Sequence, residues 1–229
     1  MNRLVPICSQ KGGVGKTTVA MALASIAAQD CNVLVVDADP QQSATWWSER
    51  AGERLPFTFA ASTDPSELRE LRNQGFDLII VDTPGSLDNG PVFDAVLSQA
   101  DFVVLPTEPA ALAVQPLLTS IHEVVAPRKI PFKVLINGVG NTPADRLDAE
   151  EAEEMLREAN IPLFRTHIRR WRKHKTAPLA GDVATTWPRS ADGKRAEAEI
   201  REVATELFAG WSFPRTIDLS ATDEKAATK

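Results

Sequence analysis

The sequence predicts an α/β fold, a doubly wound and mostly parallel sheet with helices on both faces. Three observations carry the prediction. Runs at residues 4–9, 33–37, 76–82, 101–106 and 132–137 are rich in Val, Ile and Leu along nearly their whole length, as strands covered on both faces are. Helix-forming segments lie between them, so that strand and helix alternate. The glycine-rich and acidic stretches fall where these runs end, the side on which open parallel sheets bind ligands.

Taken in order, residues 4–9 (Leu-Val-Pro-Ile-Cys-Ser) form the first strand. Pro6 lacks the N–H that a central strand needs, which places it near that strand's start. Residues 16–29 are alanine-rich and helical, and 33–37 make a strand ending in Asp37. A helix at 42–53, a weaker strand at 57–60 and a helix at 65–73 follow. Residues 76–82 form a buried strand ending in Asp82, and 90–98 a helix. Strand 101–106, helix 114–125, strand 132–137, helix 144–159, a second weak strand at 163–166 and helix 194–209 complete the pattern. Residues 1–211 read as one domain, and 212–229, polar and without periodicity, as a disordered tail.

The 229 residues, 43% hydrophobic, suffice for a sizeable core. Two cysteines far apart, Cys8 and Cys31, suggest no disulfide framework and a reducing cytoplasm. No apolar run approaches the ~18 residues that span a bilayer, and nothing before the first strand is long enough for a signal peptide. The net charge of −6 excludes a protein that is basic throughout, but not a local basic patch.

Residues 10–18 read Gln-Lys-Gly-Gly-Val-Gly-Lys-Thr-Thr, with three of the twelve glycines inside four positions. Glycine allows successive N–H groups to point into one concavity, here at a helix N-terminus, where the helix dipole favours phosphate. Gly12, Gly13, Val14, Gly15, Lys16, Thr17 and Thr18 thus form a candidate phosphate loop. Lys16 would reach the outer phosphates of ATP and Thr17 would ligate Mg2+. The pattern G-x-x-x-x-G-K-[ST] departs at its first position, which is Gln10, and a second lysine, Lys11, precedes the glycine pair.

Residues 33–42, Val-Leu-Val-Val-Asp-Ala-Asp-Pro-Gln-Gln, set two carboxylates at the end of a strand stopped by Pro40. Asp37 would lie near the metal and Asp39 in the loop beyond; a helix cap followed by a turn would use the same residue types. Asp82, ending a hydrophobic strand, has the placement of a Walker B carboxylate that holds Mg2+. Thr83-Pro-Gly-Ser after it could sense a γ-phosphate. Between 161 and 181 there is no acid, while Arg165, Arg169, Arg170, Arg172, Lys173 and Lys175 crowd together with His167 and His174. Such a run is either a solvated loop or a patch that binds DNA phosphates without reading sequence. Trp171 among them reads as a core anchor rather than a stacking platform.

The loop with its extra lysine resembles the deviant Walker A motif of the ParA/MinD family of ATPases. The D-x-D-P-Q run, the D-T-P-G turn and residues 101–108 extend the resemblance over roughly residues 2–210. It implies that Lys11 crosses a homodimer interface to the partner's nucleotide. A buried triphosphate left uncompensated would be costly, so such a dimer would depend on ATP. It implies that Asp39 positions the attacking water, and that Asn137 hydrogen-bonds adenine, although a turn asparagine before Gly138 explains that residue as well. It further implies a short partition ATPase of plasmids or chromosomes, with non-specific DNA binding and a nucleoid-associated cytoplasmic location. A ParB-like centromere-binding adaptor would stimulate a slow hydrolysis, because the motifs contain no arginine finger. The alternatives are a positioning ATPase for a protein cargo and a metabolic ATP-dependent synthase of the same superfamily. Membrane-bound division-site relatives need a basic amphipathic C-terminal helix, iron–sulfur relatives clustered cysteines, and kinase relatives tyrosines; this chain suggests none of these.

Overall fold

The computed structural model describes residues 2–85, 90–187, 190–209 and 211. Seven strands form one sheet: β1 (Arg3–Ile7), β2 (Val33–Asp37), β3 (Thr58–Ala61), β4 (Leu78–Asp82), β5 (Val103–Thr107), β6 (Phe132–Val139) and β7 (Ile168–Arg169). Their order is β3-β2-β4-β1-β5-β6-β7 and every pairing is parallel. The helices are α1 (Lys16–Ala27), α2 (Ser43–Ala51), α3 (Pro65–Arg69), α4 (Gly90–Leu97), α5 (Ala111–Ser120), α6 (Pro143–Glu158), α7 (Arg172–Ala180) and α8 (Ala191–Phe208). The doubly wound architecture expected from the sequence is the one observed.

Strand alternation divides the core between two faces. Val5, Ile7, Val33, Val35, Leu78 and Ile80 pack with buried residues of α1 and α8, among them Val19, Leu23, Ile200 and Val203. Leu4, Leu34, Val36, Ile79 and Val81 point the other way, against Leu68 of α3 and Val92 and Val96 of α4. Leu105 and Val134 pack with Val114 and Leu117 of α5 and Leu156 of α6. At about 1.5–3 kcal/mol for each fully buried aliphatic side chain, this two-faced burial fixes the strand ends that carry the site.

Pro6 is not at the start of β1 but fourth of its five residues, in register with Val81. Its missing donor falls on the β5 side, since Leu4 and Cys8, two residues either way, both donate there. Leu4 N–H bonds the Asp101 carboxylate at 2.8 Å and Cys8 N–H the Val104 carbonyl at 2.9 Å. The registered β1–β5 ladder is confined to Ile7 and Val104, so the proline costs a bond where few are made.

Two other expectations are corrected. The last strand is Ile168–Arg169, and the 163–166 segment supplies only an isolated bridge from Leu163 to Val134. The helix expected over 114–125 begins at Ala111 and changes at Ile121–Val125 into a π-helical turn. The tail at 212–229 and Ser86 of the Thr83-Pro-Gly-Ser segment lie outside the described residues.

Candidate nucleotide-binding site

The ends of β1, β2 and β4 converge on the glycine-rich loop. Gly13 and Gly15 adopt φ of 82° and 90°, the left-handed conformation that side chains resist. Gly15 is also the N-cap of α1, with Lys16 and Thr17 in its first turn. Behind the loop, Asn137 in the C-terminal half of β6 donates from Nδ2 to the Val14 carbonyl at 2.6 Å. A Cβ on Gly15 would stand 2.3 Å from that nitrogen. Gly15 is thus required twice, for its own conformation and for the room it leaves Asn137. Asn137 thus braces the loop from behind.

The loop opens onto a cavity of about 840 Å3 lined by Gly12, Gly13, Gly15, Lys16, Thr17, Thr18, Asp39, Gln42, Trp46, Gly85 and Pro178 among others. Lys16 is only 8% exposed, and a Cβ on Gly85 would come within 3.2 Å of its Nζ. Gly85→Ala should therefore weaken nucleotide binding about tenfold by displacing the lysine, with thermal stability within about 0.5 kcal/mol of the parent. Unchanged affinity by calorimetric titration would show that Lys16 does not need this position.

Thr17 Oγ1 donates to Asp82 Oδ2 at 2.6 Å, across the gap between α1 and β4. The other Asp82 oxygen, Oδ1, is buried without a hydrogen-bond partner. Burial, opposed by the Thr17 hydrogen bond, pushes the carboxyl up to about 7. A buried carboxylate with one orphaned oxygen beside a hydroxyl fits a divalent cation. Among the described residues no three carboxylate, imidazole or thiol side chains converge as a metal cage. Thr17 and Asp82 would hold Mg2+ together with phosphate oxygens, as is usual for that ion, and the metal would neutralise phosphate charge.

Asp37 is 1% exposed. Its Oδ2 accepts from the Thr45 N–H and hydroxyl, each at 2.8 Å, and its Oδ1 from the Asp39 N–H at 3.1 Å. Asp37 stands in register opposite Asp82 and also ties the start of α2 to the sheet. Asp39 lies in the cavity wall, its Oδ1 held by the Gln41 N–H at 2.9 Å. Lys11 is half exposed and pairs with Glu108, beyond β5, at 2.5 Å. Cys8, behind the loop, has its thiol pushed up to about 12 by burial, so it stays protonated and inert.

The basic segment is not free of acids in three dimensions. Glu199 of α8, 7% exposed, accepts from the Arg169 N–H and guanidinium and from Trp171 Nε1 at 2.7 Å. Glu153 of α6 contacts His167. Burial pushes the His174 imidazole down to about 4, leaving it neutral. Trp171 is 7% exposed, a core anchor as expected. Arg165, Arg170, Arg172 and Lys175 remain exposed and Lys173 half-buried, with no ion pair to any of them among the described residues. Sequence reading missed Thr45, Trp46 and Pro178 as parts of the site, since nothing in their local pattern marks them.

The fold and this site define a phosphate-loop nucleotide-binding protein whose glycine loop carries a second lysine. Residues 5–225 match the family described as the CobQ/CobB/MinD/ParA nucleotide binding domain, and the chain belongs to that family. It is similar to the maintenance of carboxysome distribution protein A of Gloeobacter kilaueensis, 42% identical over 210 residues, covering 91% of this chain and 95% of that protein. It is also similar to the chromosome-partitioning ATPase Soj of Thermus thermophilus, 30% identical over 243 residues, covering 90% and 96%. The septum site-determining protein MinD from Pyrococcus horikoshii, solved with Mg-ADP, superposes with a TM-score of 0.71 at 22% identity, covering 92% of this chain and 98% of that one, which shows a shared fold.

Proposed function

We propose that the protein is a ParA-type ATPase that positions a protein cargo, a carboxysome-like assembly, over the nucleoid. It binds ATP and Mg2+ at the loop, and a pair of protomers closes on the nucleotides. Lys11 leaves Glu108 to meet the partner's phosphates. Asp39, in the cavity wall, orients the water that attacks the γ-phosphate. An adaptor on the cargo stimulates that hydrolysis and releases the dimer. No helix among the described residues is long and apolar enough to cross a membrane, and the surface on which this cycle runs is non-specific DNA.

The observation that carries this reading is the 42% identity to a carboxysome distribution protein across 91% of the chain, joined to an intact phosphate loop. It favours the protein-cargo alternative over plasmid or chromosome partition. What supports DNA as the track is the set of exposed cations without ion pairs, Arg165, Arg170, Arg172 and Lys175 with half-buried Lys173. About five phosphate contacts per protomer, or about ten per dimer, give a log K against log salt slope of roughly −9 for the dimer.

The test is made in the source cell. Deleting the gene should collapse fluorescently tagged compartments into a few clusters while plasmid and chromosome inheritance stays normal. Evenly spaced compartments accompanied by plasmid loss would return the reading to partition.

A further inference from the structure

Helix α7 joins the two surfaces that this function requires. Pro178, near its C-terminal end, stands in the wall of the nucleotide cavity, beside Trp46 and Trp47 of α2. Arg172, Lys173 and Lys175 occupy its first half, with Arg172 and Lys175 exposed. Pro178 lies six residues from Arg172 and three from Lys175, only ~9 Å and ~5 Å along the helix axis.

The joint between α2 and α7 is tight. Gly181, which ends α7 at φ +68°, approaches α2 so closely that a Cβ would lie 2.5 Å from the Arg50 carbonyl oxygen and 2.6 Å from the Ala51 nitrogen. Trp47 donates its indole N–H to the Asp182 carbonyl at 3.0 Å. Arg54 clamps both helix ends with one guanidinium. It donates to the Arg50 carbonyl at 2.7 Å and the Ala51 carbonyl at 3.1 Å on α2, and to the Ala180 carbonyl at 2.8 Å on α7. The other end of α2 is tied through Thr45 to Asp37, and Gln42 and Ser43 before it line the cavity. Gln42 is held there at φ 53°, a left-handed backbone strained for a side chain with a Cβ.

We infer that α2 and α7 move as one lever, through which occupancy of the nucleotide cavity sets the position of the basic half of α7. Gly181 and Arg54 are its positioning residues; neither lines the cavity. Phosphates and metal entering beside Asp39 and Gln42 shift the start of α2. Because interfaces packed at backbone contact repack in discrete steps rather than stretch, the shift is passed to α7. The inference rests on the proposed function only for its nucleic-acid readout.

The experiment is hydrogen exchange on the full chain, with and without Mg2+ and a non-hydrolysable ATP analogue, beside duplex binding. In the parent, nucleotide should slow exchange at residues 10–18, 39–45 and 170–177. In Gly181→Ala the response at 170–177 should fall at least fivefold, while that at 10–18 and the nucleotide affinity are kept. Arg54→Ala removes the clamp from a largely exposed side chain without a backbone clash, so it tests the lever if Gly181→Ala fails to fold. Both variants should lose most of the nucleotide-dependent gain in duplex affinity. A full response at 170–177 in Arg54→Ala and in a folded Gly181→Ala, or none in the parent, overturns the lever. A lever intact in the parent with no duplex binding in any nucleotide state supports the coupling and removes the nucleic-acid reading alone.

Discussion

Lys16→Ala is expected to abolish nucleotide binding at micromolar concentrations, a loss of roughly 100- to 1,000-fold. The lysine is 8% exposed at the first position of α1, over the left-handed glycines of the loop. Removing one partner of a buried charge pair costs about 3–5 kcal/mol, because the remaining charge keeps its desolvation penalty. The empty protein should stay folded, since Lys16 makes no ion pair with a carboxylate among the described residues. Calorimetric titration with ATP analogue and a thermal melt check both halves. Retained affinity would remove the phosphate loop as the nucleotide site.

Asp82→Asn should separate stability from metal dependence. In the metal-free chain burial pushes the Asp82 carboxyl up to about 7, so the folded state holds this proton more tightly than the unfolded one. Stability from that proton is complete below the ordinary carboxylate range and is lost as pH rises through about 7. Between pH 4 and 7 this loss is on the order of a few kcal/mol, and the amide does not suffer it. Urea melts without metal should therefore show the variant gaining on the parent as pH rises from 5 to 8. Nucleotide affinity in Mg2+ should fall at least tenfold, with little change in chelator. Parallel pH profiles for the two proteins would contradict the buried, metal-ready state of Asp82.

The legible parts of this molecule are those written in consecutive residues. A phosphate loop needs glycines, lysine and hydroxyl in one short run, so residues 10–18 announce it. A parallel strand buried on both faces needs an unbroken apolar run ending at the ligand edge, so the sequence places Asp37 and Asp82 at the ends of β2 and β4, where they are observed. What could not be read depends on partners far apart in the chain. The cations at 165–175 lack an acid for twenty residues, yet Glu199, from another helix, reaches Arg169. Pro6 is expected near the start of its strand but sits fourth of five in β1, because its missing donor faces the thinly paired β5 side. The bond from Asn137 to Val14 was equally unreadable, because it spans 123 residues. Short elements suffered most: β7 has two residues and α7 begins with five consecutive polar ones, so neither carries a period long enough to recognise.

Trp46 gives the molecule a built-in optical reporter. The chain has five tryptophans and no tyrosine, so its near-ultraviolet emission is that of indole alone. Trp47, Trp171 and Trp187 are sealed in the core, whereas Trp46 is 38% exposed at the cavity, with the Arg50 guanidinium 3.4 Å from its ring centre. A collisional quencher in the solvent will reach this ring ahead of the three sealed ones. A ligand that fills the cavity shields it, and the unlabelled protein signals its own loading in a cuvette.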